Sequence, residues 1–189
     1  MKQVGKQIKF VYVIVCLLII FLGNKLYHNT SDYNKPSLYN MGQNSDAPTS
    51  LKMYYLIEKY STEYSIPKYI AYNVAYLETG YRGPFHWRYN PHQVSFAGAL
   101  GPMQIMPKTG EWLTDGESTT KKLKMDIEFN INLSMKMLRW LHDRYGDWAI
   151  VCGYYNTGYP KVNDYGHYCA TNKKYKDKWI KIGSELVID

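Results

Sequence analysis

Glu78 lies in the stretch AYNVAYLETGYRG, residues 71 to 83, where a soluble helix gains little from a carboxylate. Read as a helix, Ala71, Val74, Ala75 and Glu78 fall on one face, because residues three and four apart lie above one another. Gly80 follows as a helix stop, which puts Glu78 in the last turn, where the macrodipole is negative. Apolar neighbours and the dipole both disfavour the charged form, so the carboxyl pKa is expected to rise. An acid that keeps its proton near neutral pH can give it to a leaving-group oxygen, which is the chemistry of glycoside cleavage. A Glu whose stem packs while its head reaches water past the helix end would look the same in this stretch alone.

Other chemistries find less support. His28, His86, His92, His142 and His167 form no H-E-x-x-H and no close pair, so no metal site is expected. There is no G-x-S-x-G elbow, phosphate-binding loop or dinucleotide fingerprint, and no cofactor is expected. No acid occurs between Glu78 and Glu111, so a two-carboxylate glycosidase site would need the fold to bring Glu111, Asp115, Asp126 or Glu128 close.

The elements that must position Glu78 are helical. Leu51, Tyr54, Tyr55, Glu58 and Tyr60 mark a first amphipathic helix that ends before Ile66, and Pro67 opens the helix that carries Glu78. Residues 81 to 100 have no period and read as a long loop, the kind that serves function. Pro107 opens a further helix. Ile127, Ile131, Met135, Leu138 and Leu141 then recur at three and four, ending near Gly146. WAIVCGYYNTGYP reads as a helix terminated by Gly158 and Pro160, and a last helix is expected over Tyr175 to Leu186. No stretch alternates with period two, so the domain is mainly α.

The chain has 189 residues and is divided as an anchor over 1–23, a flexible linker over 24–50 and one domain over 51–189. Lys2, Lys6 and Lys9 precede thirteen apolar residues, Phe10 to Leu22, and Lys25 follows. This is the layout of a signal anchor with its positive end inside. The fifteen residues between Lys9 and Lys25 would span about 22 Å as a helix, and snorkelling lysines close the gap to a bilayer core of about 30 Å. No small-residue cleavage site follows Leu22, so the anchor is expected to be retained and the rest of the chain to lie outside the cytoplasm. There Cys152 and Cys169 are free to form a disulfide, although a buried thiol would suit the apolar run around Cys152 equally well. The net charge of +7 comes from five lysines against two aspartates before residue 51 and eighteen Lys and Arg against fourteen acids after it. Without a basic run, nucleic acid is not an expected partner. The twenty tyrosines suit a groove that grips flat polar ligands and suit a core equally.

Three blocks in order, ETG at 78–80, GALGPMQIMP at 98–107 and GYYNTG at 153–158, resemble the soluble-type lytic transglycosylases of glycoside hydrolase family 23. DIEFNI at 126–131 adds to the likeness, which covers about residues 51 to 170. The resemblance implies a lysozyme-like helical catalytic domain in which Glu78 is the single acid and later the base. It assigns Thr79, Met103, Gln104, Tyr155 and Asn156 to substrate binding along a glycan groove. It further implies cleavage of the β-1,4 bond between N-acetylmuramic acid and N-acetylglucosamine, with the 6-hydroxyl attacking to leave a 1,6-anhydro end. A substrate-assisted route of this kind needs one carboxylate only. Thr79 stands where the family has Ser, and Tyr154 where it has a small Ala. The loop with His86, Trp87, Arg88 and Tyr89 is longer than the family spacing and is expected to shape subsites. The expected partners are peptidoglycan strands, the membrane, and an envelope-spanning complex or virion. A goose-type lysozyme using water, or a non-catalytic wall-binding component, would share these features.

Overall fold

Pro67 is the hinge on which the site-bearing helix begins. With a φ of −56° it takes the N-cap position, one residue earlier than the sequence pattern places it. The computed structural model describes residues 38–173, and the expected anchor and the expected helix Tyr175–Leu186 lie outside them. Eight helices are present there: α1 Leu38–Gln43, α2 Thr49–Glu63, α3 Lys68–Thr79, α4 Pro107–Leu113, α5 Thr120–Met125, α6 Ile127–Tyr145, α7 Trp148–Thr157 and α8 Asp164–Thr171. None of the described helices is long and apolar enough to cross a membrane.

The stretch expected as a linker is ordered over its last part. Leu38–Gln43 form α1, which packs on α2, and Gly42 and Ser50 are buried. The Ser50 hydroxyl donates to the Pro84 carbonyl and its own carbonyl accepts from Tyr81, which fastens the start of α2 to the loop behind Glu78.

The long helix α6 is the spine. Ile131, Met135, Leu138 and Leu141 have no exposed surface, and the helix packs against α2, α4, α5 and α7. Asp126 caps its N-terminus by accepting from Phe129 N at 2.9 Å, and Gly146 ends it. The tyrosines mostly fill the core: Tyr60, Tyr72, Tyr81 and Tyr89 are buried, and Tyr54, Tyr55, Tyr64, Tyr69 and Tyr145 pack partly against them. Between the described elements there is no strand, only isolated antiparallel bridges joining Val94 to Leu100 and Leu100 to Ile105. These draw the long loop into a double turn.

Besides α1, two short helices escaped the pattern. α5 is only 6 residues long, and α8 holds just 8, too few turns for an apolar period to declare itself. α8 is secured by burial and by polar clamps. Asn73, fully buried in α3, donates through Nδ2 to the carbonyls of Cys169 at 2.9 Å and Asn172 at 2.7 Å. Gly166 lets α8 lie against α7, since a Cβ there would stand 2.1 Å from the Ala149 carbonyl oxygen.

Candidate active site

Glu78 occupies the last turn of α3, and the apolar face below it is sealed: Ala71, Val74 and Ala75 have no exposed surface. Its carboxyl is half-buried, and that burial pushes its pKa up to about 7. One contact works the other way. The Tyr165 hydroxyl, from α8, donates to Glu78 Oε1 at 2.6 Å and favours the ionised form. Burial wins, so the group titrates near neutrality.

Among the described residues, no second carboxylate shifts its pKa. Glu128 is held by Lys59 Nζ and the Tyr60 hydroxyl at 2.8 Å each, which lower its pKa, and Asp126 is the cap of α6. Glu111 and Asp115 are exposed, and burial and the Tyr165 bond are what move the Glu78 pKa.

Thr79 is buried, with its hydroxyl 2.7 Å from the Tyr89 hydroxyl and 2.8 Å from the Pro102 carbonyl. The Ala75 carbonyl is a second acceptor for the Thr79 hydroxyl at 3.1 Å, and when Thr79 donates to either carbonyl Tyr89 donates to Thr79. Thr79 thus pins the end of α3 to the second sequence block through a buried side chain. Tyr89, expected at the surface of a subsite, is likewise buried in this link, whereas Trp87 and Arg88 are exposed. Gln93 completes the fastening, donating through Nε2 to the Thr79 carbonyl at 3.0 Å and the Asn90 carbonyl at 2.9 Å.

Met103 requires a correction. Its side chain has no exposed surface and belongs to the core, so it does not line a groove. Its backbone is what matters: the amide donates to Asn130 Oδ1 at 3.0 Å and the carbonyl accepts from the Tyr155 hydroxyl at 2.7 Å. Gln104 adopts a left-handed φ of 52°, a strained conformation for a residue with a Cβ. Its Nε2 folds back to the carbonyls of Gly101 at 2.7 Å and Gln93 at 3.2 Å. The loop is anchored by Asn130, fully buried, whose Nδ2 donates to Leu100 O at 2.8 Å and Leu123 O at 2.9 Å. Gly101, at φ 77°, must be glycine here, because a Cβ would stand 2.5 Å from that Nδ2.

Tyr155 and Asn156 come from the end of α7. Tyr155 is tied through its hydroxyl to Met103 and lies within the electrostatic field of Glu78, which together with burial raises its own pKa. Asn156 is exposed and its Oδ1 accepts from Asn163 at 3.2 Å. Both line a cleft of about 370 Å³ with Met106, Trp112, Trp140 and Tyr154. Glu78 and Gln104 are not among its walls, and Tyr155 is the wall residue that also senses the Glu78 charge.

Cys152 and Cys169 are both buried and free, and the neighbouring Cys152 thiol together with burial raises the Cys169 pKa. The fold thus brings the pair together, each on one of the helices that carry Tyr155 and Tyr165. Tyr165 itself is the residue that the sequence pattern did not single out. Asn163, whose Oδ1 accepts from Gly166 N at 2.8 Å, is the helix-start signal that would have marked α8 and raised the question of what it carries.

A mainly helical domain with one proton-retaining acid at a helix end, beside an aromatic cleft, is the class of protein these features define. The family model described as the transglycosylase SLT domain matches residues 55–178, well over half of the chain, and the chain belongs to that family. The chain is also similar to the 70 kDa soluble lytic transglycosylase of Escherichia coli, with 30% identity over 55% of this chain and 16% of that one, at a TM-score of 0.47. A structure of the 70-kDa soluble lytic transglycosylase with bulgecin A matches with 29% identity over 61% of this chain and 18% of that one, at a TM-score of 0.48. This chain therefore spans under a fifth of those relatives' length. No curated protein matches it.

Proposed function

We propose that the chain is a peptidoglycan lytic transglycosylase in which Glu78 serves as acid and then as base. The observation that carries this reading is the setting of Glu78: a half-buried carboxyl, pKa about 7, with a tyrosine hydroxyl on one oxygen and, among the described residues, no second carboxylate shifting it. A single acid suits a reaction in which the substrate supplies its own nucleophile. Protonated Glu78 gives its proton to the oxygen of the β-1,4 bond between N-acetylmuramic acid and N-acetylglucosamine, and the C1–O bond breaks. The N-acetyl oxygen of the muramoyl residue bonds to C1 in its place. The Glu78 carboxylate then takes the proton of the 6-hydroxyl, whose oxygen displaces the N-acetyl oxygen at C1. The product is a 1,6-anhydro end, and Glu78 is again protonated.

The basic and apolar first 25 residues support tethering of this activity to a membrane with the domain outside the cytoplasm, where it would open wall locally. Mass spectrometry of purified cell wall digested by the full chain tests the reaction. Anhydro ends, lighter by one water than hydrolysed ends and resistant to reduction, are the expected result. Reducible ends would make the enzyme a hydrolase of the goose-lysozyme kind. Wall left intact by the wild-type chain, together with unchanged biological function of Glu78→Gln, would leave a binding role only.

A further inference from the structure

The cleft beside Tyr155 holds a feature that the acid site does not use. Trp112 on α4 and Trp140 on α6 are 52% and 39% exposed, a costly placement for two large aromatic side chains. They meet edge to face with ring centroids 4.8 Å apart at 77°, so each fixes the other's orientation. Arg144 lies 5.9 Å from the Trp140 ring and steadies it further. Both indoles project from helices, so the pair is a rigid platform.

We propose that the Trp112–Trp140 pair is a remote sugar-binding platform that stacks an N-acetylhexosamine ring of the glycan strand away from the bond being cleaved. The proposal rests on the transglycosylase reading for the identity of the polymer. Three observations select a carbohydrate. None of the side chains lining the cleft is charged, and Arg144 lies outside the lining over the Trp140 and Tyr145 rings, so the cleft itself offers no ionic partner to a phosphate or a peptide carboxylate. Among the aromatic walls stand Thr109, Asn156 and Thr157, groups that bond hydroxyls and acetamides while the indoles cover the apolar face of a pyranose. The volume of about 370 Å³ lies within the range of small-ligand pockets. Continuity with the acid is supplied by Tyr155, which lines the cleft and bonds the Met103 carbonyl behind the site. A strand seated on the platform is thereby led past Tyr155 to Glu78, and longer strands gain binding energy that short ones lack.

The test is a fluorescence titration of full-length Glu78→Gln with tetra-N-acetylchitotetraose, repeated with Trp112→Ala or Trp140→Ala added. The expected result is a saturable change in indole emission that either replacement weakens about tenfold. Trp112→Phe, which keeps an aromatic face, restores part of the affinity and guards against loss of folding. With cell wall as substrate, the same single replacements in the wild-type chain raise KM more than they lower kcat, and the effect grows with strand length. Equal affinity of parent and Trp variants for the oligosaccharide overturns the platform whatever the reaction proves to be. So does self-association of the free chain, by sedimentation velocity, that Trp112→Ala abolishes, since the occupant would then be a second copy. Saturable, tryptophan-dependent binding in a chain that leaves wall intact would sustain the platform while removing the transglycosylase reading.

Discussion

The Tyr165 hydroxyl donates a 2.6 Å hydrogen bond to Glu78 Oε1, and this contact opposes the burial that raises the acid's pKa. Phe at position 165 removes the donor and leaves the ring. Glu78 should then titrate above about 7, because the ionised form loses its stabilising partner while the desolvation remains. The proton-donating form persists to higher pH, so the alkaline limb of the kcat/KM profile on cell wall moves upward. A pH–rate profile of Tyr165→Phe beside the wild type reads the shift, and an unmoved limb would show that Tyr165 does not set the titration.

Glu78 also links stability to pH. Its folded pKa of about 7 stands above the ordinary carboxyl value of 4.5, so the folded state holds its proton over that window and the unfolded state does not. Stability therefore falls as pH rises from about 4.5 through about 7. Glu78→Gln, whose amide oxygen still accepts from Tyr165, should be as stable as the wild type at pH 4 and more stable by about 1–3 kcal/mol at pH 8. Urea unfolding at the two pH values measures the difference. Equal stability at pH 8 would mean that the carboxylate is better solvated than its burial implies.

Asn130 is the polar post on which the 98–107 block rests. Ala in its place strips partners from Met103 N, Leu100 O and Leu123 O at once. A loss of about 3 kcal/mol or more is expected, from buried groups left without hydrogen bonds. Gly101→Ala should cost about as much, since its Cβ meets the same Asn130 amide and its backbone keeps a positive φ. Denaturant midpoints decide both, and a combined variant should lose less than the two separate losses together, because they share one neighbour.

Thr79 separates hydroxyl from methyl. Thr79→Ser retains the bonds to Tyr89 and Pro102 and should keep most of the activity, while Thr79→Val should lose about 1–3 kcal/mol of stability and a larger share of activity than Ser. Thermal melts and wall-lysis rates of the two variants make the comparison.

The helices that carry most of the core were legible in the chain. The α6 stripe, the stops at Gly80, Gly146 and Gly158, and the apolar run ending on Glu78 all come from spacings of three and four, which a helix turns into a face without help from the rest of the fold. The expectation that burial would raise the Glu78 pKa was read from the same spacing and is met. The support of the site was not legible in that way. Tyr89 and Thr79 looked like groove residues and turned out to hold each other in the interior, and Met103 turned inward with only its backbone engaged. α8 gave too short a period to register, and with it Tyr165 passed unnoticed.

The division has a physical cause. A helix face is settled by neighbours within two turns, so the order of residues already dictated that Glu78 would close an apolar stripe at a helix end. The hydroxyl that meets it comes from 87 positions away, and the amide that carries the second block is bonded across 27 and 30 positions. Such pairs depend on how α3, α6, α7 and α8 pack, which is set by the summed burial of many side chains. Only the packed structure therefore decides that Glu78 meets the hydroxyl of Tyr165.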